Sequence, residues 1–362
     1  MIFKRSLLHE LFQTATGAFA VLFGIFIAQR VTYYIGIAAN GSIASNAINT
    51  LLGFSMLKFL PMLLSLTLFL AVLLTLTRQY RDSEMIIWFS SGQGLAAWIR
   101  PTLSFAIPII VLITFLSLFV TPWATNKSAD YKTQLKRQDE LATITPGVFK
   151  ESKQANRVYF VEAFDKLGTT VKNVFIQSVQ HQQLGVIVAK QGYRETMPNH
   201  DNFLIMEQGR RYEGKPESAE FTSTTFEKYA VRIEAKESKE APVVVMQGIP
   251  SSVLIKEASP ANNAEIQGRI AIPISALILV LLAIPLSFVD PRSGRSGNMA
   301  MAILIYIIYN NMISISQAWL VQGKLSPIIG LWPVHLVFLS ITVYLYYRRA
   351  FQLPLFPNWP RK

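Results

Sequence analysis

The chain has 362 residues, 51% of them hydrophobic and 15% charged, well under the roughly one quarter typical of soluble domains. It has no cysteine, which excludes disulfides, thiolate zinc sites, cysteine nucleophiles and iron–sulfur clusters. The net charge of +12 is unevenly placed: residues 126–265 carry 19 basic and 18 acidic side chains, and the remainder 15 basic and 4 acidic. A basic excess confined to the apolar part argues against a nucleic-acid-binding domain, which would carry it on a soluble face.

Six apolar stretches are long enough to cross a hydrocarbon core: 14–37, 51–77, 102–122, 270–289, 299–320 and 328–347. Lys4 and Arg5 precede the first, so a signal peptide has to be considered. The stretch is too long and lacks a small-residue cleavage site, so a retained helix is expected. Arg30 lies about seven residues before the outer end of that helix, roughly 10 Å deep, and Lys58 lies at a similar depth in the second. The segment between the second and third stretches reads Arg81-Asp82-Ser83-Glu84-Met85-Ile86-Ile87-Trp88-Phe89-Ser90-Ser91-Gly92. It predicts a short helix capped by Ser83 and ended by Gly92 or Gly94. A helix so apolar either lies on the bilayer surface or docks into a groove of a partner, with Glu84 as charged anchor and Met85–Phe89 as the apolar face.

After the third stretch, residues 124–141 are polar and extend that helix. Residues 157–163, 170–179, 185–194, 202–208 and 228–233 are rich in β-branched and aromatic residues and read as strands of a sandwich or half-open barrel. Residues 258–265 read as a polar return linker. Arg269 stands at the outer start of the fourth stretch, the pair Asn310-Asn311 lies within the fifth and is expected to join helices, and His335 lies within the sixth. The expected fold class is therefore an α-helical membrane protein with six transmembrane helices in a 3+3 arrangement and an extracytoplasmic all-β, jellyroll-like domain. Its parts are residues 1–125, with a coupling helix at about 81–94, then 126–265 and 266–362.

Orientation follows the positive-inside rule. Lys4, Arg5, Arg78, Arg81, Arg100, Arg292, Arg295, Arg348, Arg349, Arg361 and Lys362 lie on one side, and the opposite short loops hold only Lys324. Both termini are expected in the cytoplasm and the polar block outside. Tyr33, Tyr34, Trp123, Trp319, Trp332, Tyr346 and Tyr347 fall where aromatic belts sit.

Catalytic motifs are absent. No GxxxxGK[ST] loop occurs, and without one the Ser90-Ser91-Gly92-Gln93-Gly94 run is a chance likeness to an ATPase signature. His9, His181, His200 and His335 lack metal-ligand spacing. None of the six stretches contains Asp or Glu, so an ion-driven transporter, which needs an ionisable group at depth, is disfavoured. Energy for transport would come from a partner. Arg30, Lys58 and Arg269 either snorkel to the outer headgroups or face a cavity and bind an anionic group, three cations at one level suiting a phosphorylated lipid. A non-transporting envelope scaffold would need neither.

The layout resembles that of the lipopolysaccharide-export permeases of the LptF/LptG type. The resemblance rests on Arg5-Ser6-Leu7-Leu8-His9-Glu10-Leu11, on Thr77-Arg78-Gln79-Tyr80-Arg81-Asp82-Ser83-Glu84-Met85 and on Gly92-Gln93-Gly94, and these are closer to the F-type subunit. It implies a sister subunit of the LptG type, a dimeric cytoplasmic ATPase of the LptB type holding ATP and Mg, and a single-span periplasmic jellyroll protein of the LptC type. It implies lipopolysaccharide as cargo, its phosphorylated head contacted by Arg30 and Lys58, and no cofactor or catalytic residue in this chain; Tyr33, Tyr34 and Arg269 are substrate-binding candidates by their position at the same outer level, not by the resemblance. Glu84, Met85, Ile87 and Trp88 would couple to the ATPase. Phe160, Val174, Ile176, Ile187, Phe203 and Ile205 would line a lipid groove, the alternative for each being ordinary β-domain core.

Overall fold

A computed structural model describes residues 2–39, 47–141, 147, 149–152, 157–164, 170–180, 183–196, 202–214, 221–232, 245–257, 259–288, 295–351 and 353. Arg292, Arg361, Lys362, His181 and His200 lie outside the described residues. The chain divides into two compact units, one of Met1–Tyr131 with Val244–Lys362 and the other of Lys132–Val243.

The first unit is helical. α1 (Ile2–Ala39) and α2 (Ile48–Arg81) pack along their lengths and are followed by a seven-residue helix, α3 (Glu84–Ser90). A 3₁₀ turn (Leu95–Trp98) leads into α4 (Ile99–Phe115), a π turn (Leu116–Val120) and α5 (Thr121–Leu141), which run on as one helical path. The chain re-enters through a 3₁₀ turn (Met246–Gly248) and α6 (Ser251–Lys256), then forms α7 (Pro260–Leu286), α8 (Arg295–Val321) and α9 (Trp332–Ala350). Residues 260–265, expected as linker, are the first turns of α7. Ser259 caps them by accepting from Asn262 N–H at 3.0 Å, and Pro260 occupies the first turn, where its missing N–H costs nothing.

Five helical paths are long and apolar enough to cross a membrane: Lys4–Ala39, Ile48–Arg81, Leu95–Leu135, Pro260–Leu286 and Met299–Val321. The sixth expected span is shorter than the sequence implied. Residues 326–330 form a turn in which Gly330 takes φ +44°, so α9 begins only at Trp332 and ends on Arg348 and Arg349. About two thirds of the apolar window of α2 and of α7 is buried, against 6% for α1 and 17% for α8. α2 and α7 are thus the centre of the bundle, and α1 and α8 turn most of their apolar surface outward. Leu76, Trp98, Leu279, Ala283 and Tyr309 are among the side chains that close the core. Among the described residues, the side-chain amides of Asn310 and Asn311, expected to join helices, donate to the carbonyls of Tyr306 and Ile307, one turn back in α8. His335 is buried, with its Nδ1 2.7 Å from the Tyr309 hydroxyl.

The second unit is one antiparallel sheet of β1 (Lys150–Ser152), β2 (Arg157–Phe164), β3 (Thr170–Gln180), β4 (Gln183–Thr196), β5 (Asn202–Gly214) and β6 (Phe221–Arg232). The strands follow one another in chain order, an up-and-down meander. Among the described residues there is no crossover of the kind that two Greek keys give a jelly roll. One rung of the ladder is missing in every pair from β2 to β6, where Glu162, Asn173, Lys190, Gln208 and Glu227 would meet. Asn173 and Gln208 take positive φ there. A left-handed residue resets the two-residue alternation of a strand. Val171 and Val174, three apart, are consequently buried in the same cluster with Ile176, Ile187, Ala189, Leu204, Met206 and Val231. Gly209 lies beside the fault, with the Phe226 ring packed against the place where a Cβ would stand.

Candidate functional site

At one end of the α1–α2 pair, Phe59 organises two cations. The Arg30 guanidinium lies 4.3 Å from its ring centroid and also approaches the rings of Phe26 (5.4 Å) and Tyr33 (5.8 Å), while Lys58 Nζ lies 5.5 Å from the Phe59 ring. The negative ring faces offset part of the cost of holding charge among apolar helices, at about 0.5–2 kcal/mol per contact. They do not satisfy N–H donors: Arg30 Nε is buried without a hydrogen-bond partner, and among the described residues no carboxylate forms an ion pair with Arg30. Lys58 Nζ donates to Gln247 Oε1 at 2.8 Å. Tyr33 is exposed beside them. Tyr34, expected beside the headgroup, is buried between α1 and α2, its hydroxyl 2.5 Å from Ser55 Oγ.

Arg269 departs further from expectation. It is 4% exposed. Its Nε donates to Glu265 Oε1 (2.9 Å), one terminal nitrogen to Ser251 Oγ (2.7 Å), and the other to the carbonyls of Ile249 (2.9 Å) and Gln247 (3.2 Å). Ser251 Oγ in turn donates to the Leu118 carbonyl at 2.6 Å, and Ser117 Oγ donates to the Arg269 carbonyl at 2.8 Å. These are residues of the π turn, whose widened helix leaves carbonyls in search of donors. Arg269 therefore clasps α7, the π turn and segment 247–251 together. With four of its five guanidinium N–H donors engaged inside the protein, it has at most one to offer a headgroup. The arrangement also fixes Gln247, whose carbonyl serves Arg269 and whose amide oxygen serves Lys58.

At the other end of the pair lies α3. Arg30 to Glu10 on α1, and Lys58 to Arg78 on α2, are each twenty residues, or about 30 Å along a helix. α3 ends as the sequence predicts: Gly92 takes φ +82°, its N–H bonds the Phe89 carbonyl at 3.0 Å and Gln93 N–H bonds that of Trp88 at 3.1 Å. This double closure needs a left-handed residue, hence glycine. Ser83 occupies the N-cap position but its side chain caps nothing. The expected docking face is split. Met85 is 1% exposed and sits in the bundle core, and Trp88 packs partly against that core, whereas Ile86 and Ile87 are 63% and 66% exposed. Glu84 accepts from Arg78 at 3.1 Å, beside this exposed pair.

The sequence matches the family of the "Lipopolysaccharide export system permease LptF/LptG" across residues 5–348. The chain belongs to this family. It is 25% identical over 348 residues to the lipopolysaccharide export system permease protein LptF of Escherichia coli K12, covering 95% of this chain and 94% of that protein. The Shigella flexneri LptF stands at the same identity and coverage. With its apolar helices, the chain is a multi-pass membrane permease carrying an additional β domain.

In this LptF/LptG-family chain the six residues expected to line a groove fall on two faces of the sheet. Val174, Ile176 and Ile187 are buried in the domain core. Phe203 and Ile205 alternate with buried Leu204 and Met206 and so point to the opposite face. Phe160 pairs with Phe175, which alternates with Val174 and Ile176, and its ring stacks on Phe149 at 4.6 Å on that same opposite face. For Phe203 and Ile205 the missing rung accounts for the face, because it lies between them and the partner of Ile187; Phe160 is on the same side of it as Val174 and Ile176, and its face follows from plain alternation. Sequence reasoning also passed over Phe59, Gln247, Ser251 and Arg78 as site-forming residues. One signal for Arg78 was available: of the four acidic residues outside 126–265, three, namely Glu10, Asp82 and Glu84, converge on it.

Proposed function

We propose that the chain is the F-type permease subunit of an ATP-driven exporter. It extracts lipopolysaccharide from the outer leaflet of the inner membrane and passes it to a periplasmic jellyroll bridge. The observation that carries this reading is Arg30, a cation held by three aromatic faces with a buried N–H lacking an acceptor. An anionic phosphate supplies what that site lacks, a charge-assisted acceptor. Lys58 joins it by exchanging the neutral amide of Gln247 for a phosphate oxygen, and the exposed apolar side of α1 gives acyl chains a surface beside the headgroup site. The α3 end faces the cytoplasm under the positive-inside rule. There Ile86 and Ile87, flanked by Glu84, dock on a dimeric ATPase that holds ATP and Mg. A sister subunit of the G type completes the cavity, and the β domain meets a single-span jellyroll partner. No catalytic residue or cofactor is required of this chain.

A photo-crosslinking amino acid at position 30 or 58, in membranes containing lipopolysaccharide, tests the reading. Capture of lipid at both positions is expected, together with co-purification of a soluble ATPase that Glu84→Ala weakens. Failure of both positions to capture lipid would shift the reading to a non-transporting scaffold, and lipid release driven by an ion gradient without ATP would replace the partner ATPase as energy source.

A further inference from the structure

We propose that Glu10 is the positioning residue through which the docking helix α3 acts on α1. Three carboxylates share the single guanidinium of Arg78: Nε donates to Glu10, and one terminal nitrogen lies 3.1 Å from Asp82 Oδ2 and 3.1 Å from Glu84 Oε1. Arg81 offsets one of these charges by donating to the other oxygen of Asp82 at 3.2 Å. Glu10 is the only one of the three that belongs to a different long helix. Its second oxygen accepts from Gln79 Nε2 at 3.2 Å, and Gln79 Oε1 accepts from Trp98 Nε1 at 3.3 Å. Gln79 and Trp98 are both buried. The start of α1 is thus tied to both ends of the docking segment: to its beginning through Arg78 and Glu84, and to its end through Gln79 and Trp98.

The shared guanidinium makes the tie responsive. When Glu84 turns to a cationic group on a docked ATPase, Arg78 loses one acceptor and the remaining charge-assisted bonds, to Glu10 and Asp82, strengthen. α1 is one uninterrupted helix, so a displacement of its start reaches Arg30 about 30 Å away. Its sparse burial leaves it freer to move than α2 or α7. This rests on the reading of α3 as the ATPase-docking helix.

The test uses the complete ATPase–permease complex in proteoliposomes containing lipopolysaccharide. Three readouts are taken: ATPase bound per permease, ATP turnover without lipopolysaccharide, and the increment that lipopolysaccharide adds. Glu10→Gln keeps the bond to Gln79 and removes the charge facing Arg78. It is expected to leave ATPase association and basal turnover unchanged and to cut the lipopolysaccharide-dependent increment by roughly three- to thirtyfold, the range of coupling energies carried by such contacts. Glu10→Asp should recover most of the increment. Thr14→Ala, which breaks the neighbouring 3.1 Å bond to Thr75 between the same helices, should leave it intact. An undiminished increment in Glu10→Gln, equal loss in Glu10→Asp, or equal loss in Thr14→Ala overturns the proposal. If the unaltered complex binds no ATPase, the docking reading itself has failed, and this inference with it.

Discussion

Replacing Arg269 by methionine separates a structural arginine from a ligand-binding one. The side chain is 4% exposed and makes four hydrogen bonds, one of them to a carboxylate that is itself largely buried. Removing it leaves Glu265 charged without its partner and strips two backbone carbonyls and a serine of donors. Breaking one side of a buried ion pair costs about 3–5 kcal/mol. Arg269→Met should therefore lower stability by about that amount in chemical unfolding of the detergent-solubilised protein. Arg269→Met combined with Glu265→Met should cost less than Arg269→Met alone, because no orphaned charge remains. Lipid crosslinking at position 30 should survive in the fraction that folds, since Arg30 is held by α1 and α2 and makes no bond to the clasp. An Arg269→Met protein of unchanged stability that captured less lipid at both positions 30 and 58 would refute the reasoning and return Arg269 to the headgroup site.

The two sides of α3 should respond differently to substitution. Ile87→Glu, on the exposed side, should weaken ATPase co-purification with little change in melting temperature; Met85→Ala, in the core, should cost about 2–5 kcal/mol of stability. In the β domain, Gly209→Ala places a methyl group 2.5 Å from the Val188 carbonyl and closer still to the Phe226 ring. Hydrogen exchange in the full-length protein should then show lost protection in β4, β5 and β6 and none in the helical bundle.

The membrane helices and the strands were legible because each rests on a local signal: long apolar runs for the former, β-branched and aromatic alternation for the latter. The less legible features depend on pairing across distance. Gln208 was read as the end of a strand because Gly209, Arg210 and Arg211 look like punctuation, yet β5 continues to Gly214 by pairing with β4 and β6 on either side. Met85 and Ile87 are equally apolar and only two residues apart, so sequence assigned them one role. The helical turn places the first in the core cluster that also holds Leu76 and Trp98 and leaves the second outside. The arginines are the clearest case. Arg30 and Arg269 look alike on paper, since each is a lone cation in the outer part of an apolar run or at its outer start, and only the fold supplies one of them with acceptors.

That difference bears on how a permease keeps a cation available near apolar helices. A buried guanidinium is tolerated when its donors are filled. At Arg269 four of the five are filled by the protein, through Glu265, a serine and two carbonyls of a segment that follows the β domain in sequence. At Arg30 the neighbours are rings, which offset charge but accept little from N–H groups. A phosphate gains more at the second kind of site than at the first, because among the described residues it displaces no acceptor from Arg30 Nε. Lys58 stands between the two: its Nζ donates to a neutral amide, a weaker acceptor than a phosphate oxygen, and that amide belongs to the residue whose carbonyl Arg269 holds in place. The clasp thus sets the position of the group that Lys58 would exchange for phosphate in the proposed binding mode. Loosening Arg269 should act on lipid capture at position 58, through Gln247, before it acts at position 30.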